Sequence, residues 1–413
     1  MTSSGILDEY NIRSVRELEL EAKRVLVRVD FNVPLDGTGG IRDDARIRAA
    51  LPTLQLIRDA GGRVIACSHL GRPKGKRTPE FSLEPVATRL AELMDCDVLL
   101  PDDCIGDAAA HLVANQRPGQ IILLENLRFH PGEEENSEDF ARKLAELCDV
   151  YVNDAFGTLH RANASVSALP RLVPDRAAGL LVERELAYLG RLMSGGESPY
   201  FAILGGAKIS DKIEVIERLI AVVDGLVIGG AMACTFLAAQ GFEMGKSKVE
   251  ADRLVLARHL LARCENRGVK VFLPTDHVVV RSLDDDSPSR VAHNGEIASD
   301  EMAVDIGPET AARFAAVLTG GDPDSAAPRT VLWNGPMGLF ETDRFAVGTN
   351  IIAKAIAQSA ATSVVGGGDS AAAVRKAGVA PLISHISTGG GATLEFLGGK
   401  TMPGLAALRG GRR

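Results

Sequence analysis

The sequence predicts an α/β protein built from doubly wound parallel sheets in two domains. Short apolar runs alternate with helical patterns along the chain, the signature of βαβ units. At 413 residues the chain exceeds what one core usually supports. A helical stretch followed by Ser194-Gly195-Gly196-Glu197-Ser198-Pro199 breaks it near the middle.

In the first half, a strand over 24–29 ends in Asp30-Phe31-Asn32-Val33-Pro34, and a helix follows Asp43 and Asp44, with Pro52 placed near a first turn. Strands over 63–67, 121–124 and 150–152 run into Ser68-His69-Leu70-Gly71-Arg72-Pro73, Glu125-Asn126-Leu127-Arg128-Phe129-His130 and Asn153-Asp154-Ala155-Phe156-Gly157-Thr158-Leu159-His160-Arg161. Helical patterns over 83–94 and 137–148 separate them. Ligands of such sheets bind at the carboxyl ends of the strands. Those ends carry Arg28, Asp30, Asn32, His69, Arg72, Arg128, His160 and Arg161, with Arg46 close behind the first. A basic rim on a chain of net charge -8 implies a small, multiply anionic ligand, because the guanidinium fork suits phosphate and carboxylate.

The second half opens with a long helix over 177–193, read as connector or hinge. A strand then ends at Gly205-Gly206-Ala207-Lys208, before a helical pattern of Ile209, Ile213, Ile216, Ile220 and Val223. Lys208 and Lys212 sit at this helix start, where the dipole favours acidic residues, so an anion is expected there. Two more strands end in glycines: 225–228 before Gly229-Gly230-Ala231, and 363–365 before Gly366-Gly367-Gly368-Asp369-Ser370. Such turns are expected to present backbone amides to a polyphosphate. A strand over 331–333 leads into Asn334-Gly335-Pro336-Met337-Gly338-Leu339-Phe340-Glu341, suited to a nucleoside with Glu341 accepting from ribose hydroxyls. Gly389-Gly390-Gly391-Ala392 offers another cluster of amides. Residues 282–300 read as a polar surface excursion and 409–413 as a loose basic tail.

Two motif matches fail. Gly241 to Ser247 is one residue short of a Walker A loop, with Gln240 where the first glycine belongs. Gly366 to Ala371 fits the dinucleotide fingerprint, but no acidic residue stands about twenty positions on, which argues against a dehydrogenase. The acidic balance speaks against nucleic acid or an anionic membrane as partner. The six cysteines are dispersed without a Cys-x-x-Cys pair, so neither a disulfide framework nor a zinc site is expected. With no secretory pattern at the start and no long apolar stretch, a soluble cytoplasmic protein is expected.

Eight motifs in order resemble the phosphoglycerate kinase family: Arg-Val-Asp-Phe-Asn-Val-Pro (28–34), Ser-His-Leu-Gly-Arg-Pro (68–73), Leu-Glu-Asn-Leu-Arg-Phe-His (124–130), Asp-Ala-Phe-Gly-Thr-Leu-His-Arg (154–161), Gly-Gly-Ala-Lys-Ile-Ser-Asp-Lys (205–212), Trp-Asn-Gly-Pro-Met-Gly-Leu-Phe-Glu (333–341), Gly-Gly-Gly-Asp-Ser (366–370) and Ser-Thr-Gly-Gly-Gly-Ala (387–392). The resemblance implies two Rossmann-like domains joined by a helical hinge. The expected division is a phosphoglycerate-binding domain over 1–176, hinge helix and linker over 177–199, a nucleotide-binding domain over 200–396, and a tail over 397–413 returning to the first domain. It also implies a monomer that transfers a phosphoryl group reversibly from 1,3-bisphosphoglycerate to Mg-ADP, with closure about the hinge. Arg28, Asp30, Asn32, His69, Leu70, Gly71, Arg72, Arg128, His160 and Arg161 would hold the phosphoglycerate. Arg46, Lys208, Lys212, Gly390 and Gly391 would surround the moving group. Gly205, Gly206, Ala207, Gly229, Gly230, Asn334, Pro336, Leu339, Glu341, Gly367, Gly368 and Ser370 would hold the nucleotide, and Asp369 the magnesium. Asn163, Ala231, Ala303 and Gly398 depart from the family pattern, which has His at the first position, Gly at the next two and Glu at the last. The competing reading is a non-catalytic two-lobed protein that closes on an anionic metabolite.

Overall fold

The structure, a computed structural model, describes residues 3–284 and 287–411. By its internal contacts the chain divides into two units, Met1–Ala187 with Thr401–Arg413, and Tyr188–Lys400.

The first unit is built on a six-stranded parallel sheet of β1 (Arg24–Val29), β2 (Arg63–Cys67), β3 (Val98–Leu99), β4 (Ile121–Leu123), β5 (Val150–Asp154) and β6 (Asp175–Ala178), in the order β3-β4-β2-β1-β5-β6. The central strands are mostly apolar because helices cover both faces. Val25, Val27, Ile47, Leu54, Val64 and Leu90 are among the residues that fill the core. The strand order reverses between β1 and β5, whose last residues Val29 and Asp154 lie in register. A crevice for ligand opens at such a reversal.

The second unit repeats the plan with β7 (Tyr200–Leu204), β8 (Gly225–Ile228), β9 (Lys270–Phe272), β13 (Thr330–Asn334), β14 (Thr362–Gly366) and β15 (His385–Ile386), parallel in the order β15-β14-β13-β7-β8-β9. Its order reverses between β7 and β13, with Leu204 opposite Asn334. Trp333, Phe314, Ile203 and Ile352 belong to its core. A second sheet departs from the all-parallel expectation: β10 (Asp276–Val280), β11 (Ser289–His293) and β12 (Met302–Ile306) are antiparallel, in the order β11-β10-β12. The polar stretch over 282–300 therefore contains an edge strand, and its residues 285–286 lie outside the described residues.

Two helix starts differ from the periodicity. The helix expected from Ala177 begins at Leu180, because Ala177 and Ala178 pair with Val152 and Asn153 as part of β6. Asp154 fixes the boundary by accepting from Leu181 N at 2.8 Å, and only glycine fits at 179, where a Cβ would stand 2.2 Å from the Asp154 carboxylate. The helix expected from Ile209 begins at Ile213, because Glu250 accepts from Ile209 N at 2.6 Å and Ser210 N at 3.2 Å and holds 208–212 as a turn. Pro52 lies inside the helix Ala45–Asp59 and not in its first turn. At the C-terminus, the helix Pro403–Leu408 is tied to the first unit by Gly404 N, which donates to Leu159 O at 2.9 Å; residues 412–413 of the expected tail lie outside the described residues.

Candidate active site

In the first unit the turns after β1, β2, β4 and β5 converge beside the sheet reversal. Asp30 accepts from Arg46 Nη1 at 3.0 Å, and the same nitrogen donates to Asn32 O at 3.0 Å, so the guanidinium is held across the end of β1. Asn32 Oδ1 accepts from Gly71 N at 2.9 Å, and Gly71 O accepts from Arg128 Nη1 at 2.8 Å. Gly71 has φ +61, and a Cβ there would meet the Phe81 ring at 2.4 Å, so the turn that aims Arg72 needs glycine. Leu70 is buried, and its N–H donates to Asn126 Oδ1 at 3.2 Å. Arg161 Nε donates to His160 Nε2 at 3.2 Å.

Arg72, Arg128 and Arg161 line one open cleft of about 510 Å³ with Glu134 and Asn163. Burial, together with Arg161 and Arg28, lowers the Arg128 pKa from its ordinary value, while Glu134 opposes the change. His69 is driven well below the usual imidazole range, first by burial and then by Arg28, Arg128, Arg161 and Arg46. Cations crowded to this degree are relieved by an anion. Asn163 Nδ2 donates to Glu133 O at 3.1 Å, so this departure from the family pattern ties the cleft wall to a buried acidic residue.

Arg28 does not stand on the rim. Its side chain is only 2% exposed, behind His69, with Nη2 3.1 Å from His69 Nδ1. Position along the chain explains the difference: Arg28 is the fifth residue of β1, whose last five residues are all buried, whereas Asp30 and Asn32 lie beyond the strand end and are partly exposed.

In the second unit Lys212 occupies the sheet reversal. It caps the helix Ile213–Leu219 and is 8% exposed. Its Nζ donates to Gly205 O, after β7, and to Asn334 O at 3.1 Å, at the end of β13. Burial lowers its pKa from 10.5 to about 8, with Asp369 and Asp211 pulling the other way. Lys208 is exposed on the preceding turn.

The glycine turns meet one another. Gly205 N donates to Asn334 O, Gly206 N to Pro336 O, Gly229 N to Leu204 O and Gly230 N to Met337 O, at 2.8 to 3.0 Å. A Cβ at Gly205 would stand 2.1 Å from Pro336 O, and one at Gly230 would stand 2.5 Å from Gly206 N. The expectation that these four amides face a polyphosphate is thus corrected: the glycines let three backbone turns touch. Asn334 and Ser370 join the same knot, Asn334 Nδ2 donating to Gly366 O at 3.0 Å and Ser370 Oγ accepting from Gly335 N at 2.6 Å. Helix-start amides remain at Gly368–Lys376, preceded by Gly367, because the first N–H groups of a helix have no partner within it. At Gly390 and Gly391 no other segment comes within 4 Å of an added Cβ.

A cleft of about 320 Å³ lies beside this knot, lined by Gly206, Ala207, Gly230, Pro336, Leu339, Glu341 and Asp369. Leu339 is 40% exposed there, an apolar surface for a base. Asp369 is exposed in the first turn of the helix Gly368–Lys376 and offers a hard oxygen to a divalent cation with room for water around it. Lys246, Lys248, His277 and Asp305 line the cleft too and were not singled out from sequence. Lys246 lay in the failed Walker match, and its basic neighbour Lys248 was the usable signal. His277 and Asp305 come from the antiparallel sheet, which the strand pattern did not reveal.

A family model described as phosphoglycerate kinase matches residues 15–400. Phosphoglycerate kinase of Anaeromyxobacter sp. (strain Fw109-5) is 52% identical over 401 residues, covering 97% of this chain and 100% of the relative. That of Chlorobium luteolum is 51% identical over 401 residues, covering 96% and 99%. Among solved structures, phosphoglycerate kinase from Coxiella burnetii superposes with a TM-score of 0.85 at 39% identity, covering 96% of this chain and 98% of that one. The enzyme from Pyrococcus horikoshii OT3 gives a TM-score of 0.77 at 32% identity, with the same coverage.

Proposed function

The chain belongs to the phosphoglycerate kinase family, and from that premise we propose how its residues share the work. The reaction is reversible phosphoryl transfer from 1,3-bisphosphoglycerate to ADP, giving 3-phosphoglycerate and ATP. The attacking oxygen of ADP is already anionic and the leaving group is a carboxylate, so no general base is required. The obstacle is repulsion between anions and the charge spread over the moving group, which fixed cations and oriented amides offset.

In this proposal Arg72, Arg128, Arg161 and His69 bind the phosphoglycerate, with Asn32 and Gly71 fixing the turn that carries Arg72. Arg46 is oriented by Asp30 toward the transferred phosphoryl group. The knot of glycine turns shapes the nucleotide cleft, Leu339 packs on the base, and Glu341 accepts from the ribose. Asp369 would hold a magnesium ion, which when bound neutralises part of the phosphate charge. Lys212 meets the phosphoryl group by exchanging its two carbonyl partners for phosphate oxygens, aided by Lys208 and by the amides at Gly367, Gly368, Gly390 and Gly391. The observation that carries this reading is the buried Lys212 ammonium at the reversal of the second sheet, where a cation without a carboxylate partner is costly unless an anion joins it.

The test is a coupled assay of ATP-dependent phosphorylation of 3-phosphoglycerate with magnesium. Turnover is expected, and its absence from folded protein would overturn the assignment. The hinge is part of the proposal, since the acyl phosphate must be shielded from water. Small-angle scattering should show compaction when both substrates bind, and an unchanged radius of gyration removes the hinge. All four reactants are soluble anions, which supports a cytoplasmic location; among the described residues no helix is long and apolar enough to cross a membrane.

A further inference from the structure

We propose that Arg28 is a positioning residue that fixes the tautomer of His69, through a buried chain running Glu133–Ser165–Arg28–His69. The Glu133 carboxylate accepts from Ser165 Oγ at 2.6 Å and from Ser165 N at 2.9 Å. Ser165 Oγ in turn accepts from Arg28 Nε at 3.0 Å, and Arg28 Nη1 donates to Val29 O. Arg28 Nη2 then lies 3.1 Å from His69 Nδ1. All four residues are buried, with exposures of 1%, 0%, 2% and 3% in that order. Ser165 is placed by a π-helical turn, Ala164–Ala168, an irregularity often found at functional sites. Its carbonyl accepts from Tyr151 Oη at 2.7 Å, which anchors the turn to β5.

The consequence follows from donor chemistry. A guanidinium has five N–H donors and no acceptor, so the atom facing it must carry a lone pair. His69 Nδ1 is therefore unprotonated, and the ring proton sits on Nε2. Nε2 has no hydrogen-bond partner among the described residues and is left to donate to an arriving oxygen. A second proton would set Nδ1–H against the Arg28 N–H groups, and Arg46, Arg128 and Arg161 also oppose it. Among the described residues no acidic group hydrogen-bonds to the His69 ring; Glu133 reaches it through Ser165 and Arg28. His69 thus serves as a neutral donor of fixed polarity, and the arginines alone supply the charge.

This inference rests on the reading of the first unit as the phosphoglycerate side, but its first test needs no activity. Nitrogen-15 spectra of the imidazole in the full chain should show Nε2 protonated and Nδ1 unprotonated, unchanged between about pH 5 and pH 8, where a solvated imidazole titrates. A ring that titrates in that range, or carries its proton on Nδ1, overturns the proposal. Arg28→Met should let His69 titrate and should raise KM for 3-phosphoglycerate about tenfold or more, with a new pH dependence, while KM for ATP stays unchanged. Ser165→Ala keeps the Arg28 charge but removes its anchor, and should give a smaller shift in the same direction if Arg28→Met does not fold. His69→Gln, whose amide reaches the Nε2 position, should retain more affinity than His69→Asn, and equal losses overturn the assignment of the donor. If the spectra are as expected but no phosphoglycerate is turned over, the functional reading fails and the tautomer assignment stands.

Discussion

Replacing Lys212 with methionine should stabilise the second unit at neutral pH while abolishing turnover. The fall in pKa from 10.5 to about 8 means that burial disfavours the ammonium by roughly 3 kcal/mol, at about 1.36 kcal/mol per pKa unit. Because the folded value is depressed, the native chain binds fewer protons than the unfolded chain between about pH 8 and 10.5. Stability therefore rises with pH across that window, and below about pH 8 the full cost of the buried charge is present. Methionine fills a similar volume without charge. It leaves Gly205 O without the ammonium, which returns about 1 kcal/mol, whereas Asn334 O keeps the bond from Gly205 N. The net expectation is a gain of about 1 to 2 kcal/mol near pH 7 that vanishes or reverses above about pH 10.5. Trp333, the single tryptophan, is buried in β13 next to Asn334, so its fluorescence during urea unfolding reports this unit. A higher midpoint for the variant at neutral pH, with the gap closing in alkali, is the expected result. A variant less stable at pH 7, or a gap insensitive to pH, refutes the reasoning.

Three further outcomes are expected. Arg46→Ala removes a cation held by Asp30 and Asn32 O and should lower kcat by about 10² to 10³ with a smaller effect on substrate KM; steady-state kinetics with an unchanged kcat would take Arg46 out of the transfer step. Gly230→Ala places a methyl group 2.5 Å from Gly206 N at φ +65, so calorimetric titration should show ADP binding weakened by about tenfold or more, worth over ~1.4 kcal/mol; unchanged affinity would show that the knot does not shape the cleft. Asp305 accepts from Gly348 N at 2.8 Å, and burial raises its pKa from 3.8 to about 7. Its folded state keeps a proton that the unfolded chain releases, so stability falls as pH rises from about 4 to 7, by up to ~4 kcal/mol. Asp305→Asn should flatten that slope in melting curves, and an identical slope would remove Asp305 as its source.

The eight inner parallel strands were legible because their burial on both faces makes them short, mostly apolar runs, and the turn after each was legible because glycines or polar residues appear abruptly there; the edge strands β3, β6, β9 and β15 are too short or too polar to stand out. Helix starts were less so, since 3.6-residue periodicity continued back through Ala177 and Ile209. What sets each start is a carboxylate remote in the chain, Asp154 for the first and Glu250 for the second, and no local pattern announces that pairing. The antiparallel sheet escaped because β11 exposes four of its five residues and reads as a loop. The arginines of the rim could be read one strand end at a time. Arg28 differed only by its place within the strand, where both faces are covered and its side chain packs against His69.

The glycines show why a motif can identify a site without giving its mechanism. Sequence alone cannot distinguish a glycine that admits a phosphate from one that admits another backbone, because both positions forbid a Cβ. Here Gly205, Gly230 and Gly335 each exclude a Cβ because another turn's backbone, or in the last case Gly205 and the Lys212 ammonium, stands within about 2.5 Å of it. Their amides or carbonyls are already committed to the knot, so the positive potential at the β7–β13 reversal comes from Lys212 itself. The substitution of Lys212 and that of Gly230 should therefore fail differently: loss of the lysine removes charge from a cleft of intact shape, and the added methyl distorts the cleft while leaving the charge. If both variants lost nucleotide affinity and stability in the same proportion, charge and shape would not be separable here, and the division of labour between lysine and glycine would have to be abandoned.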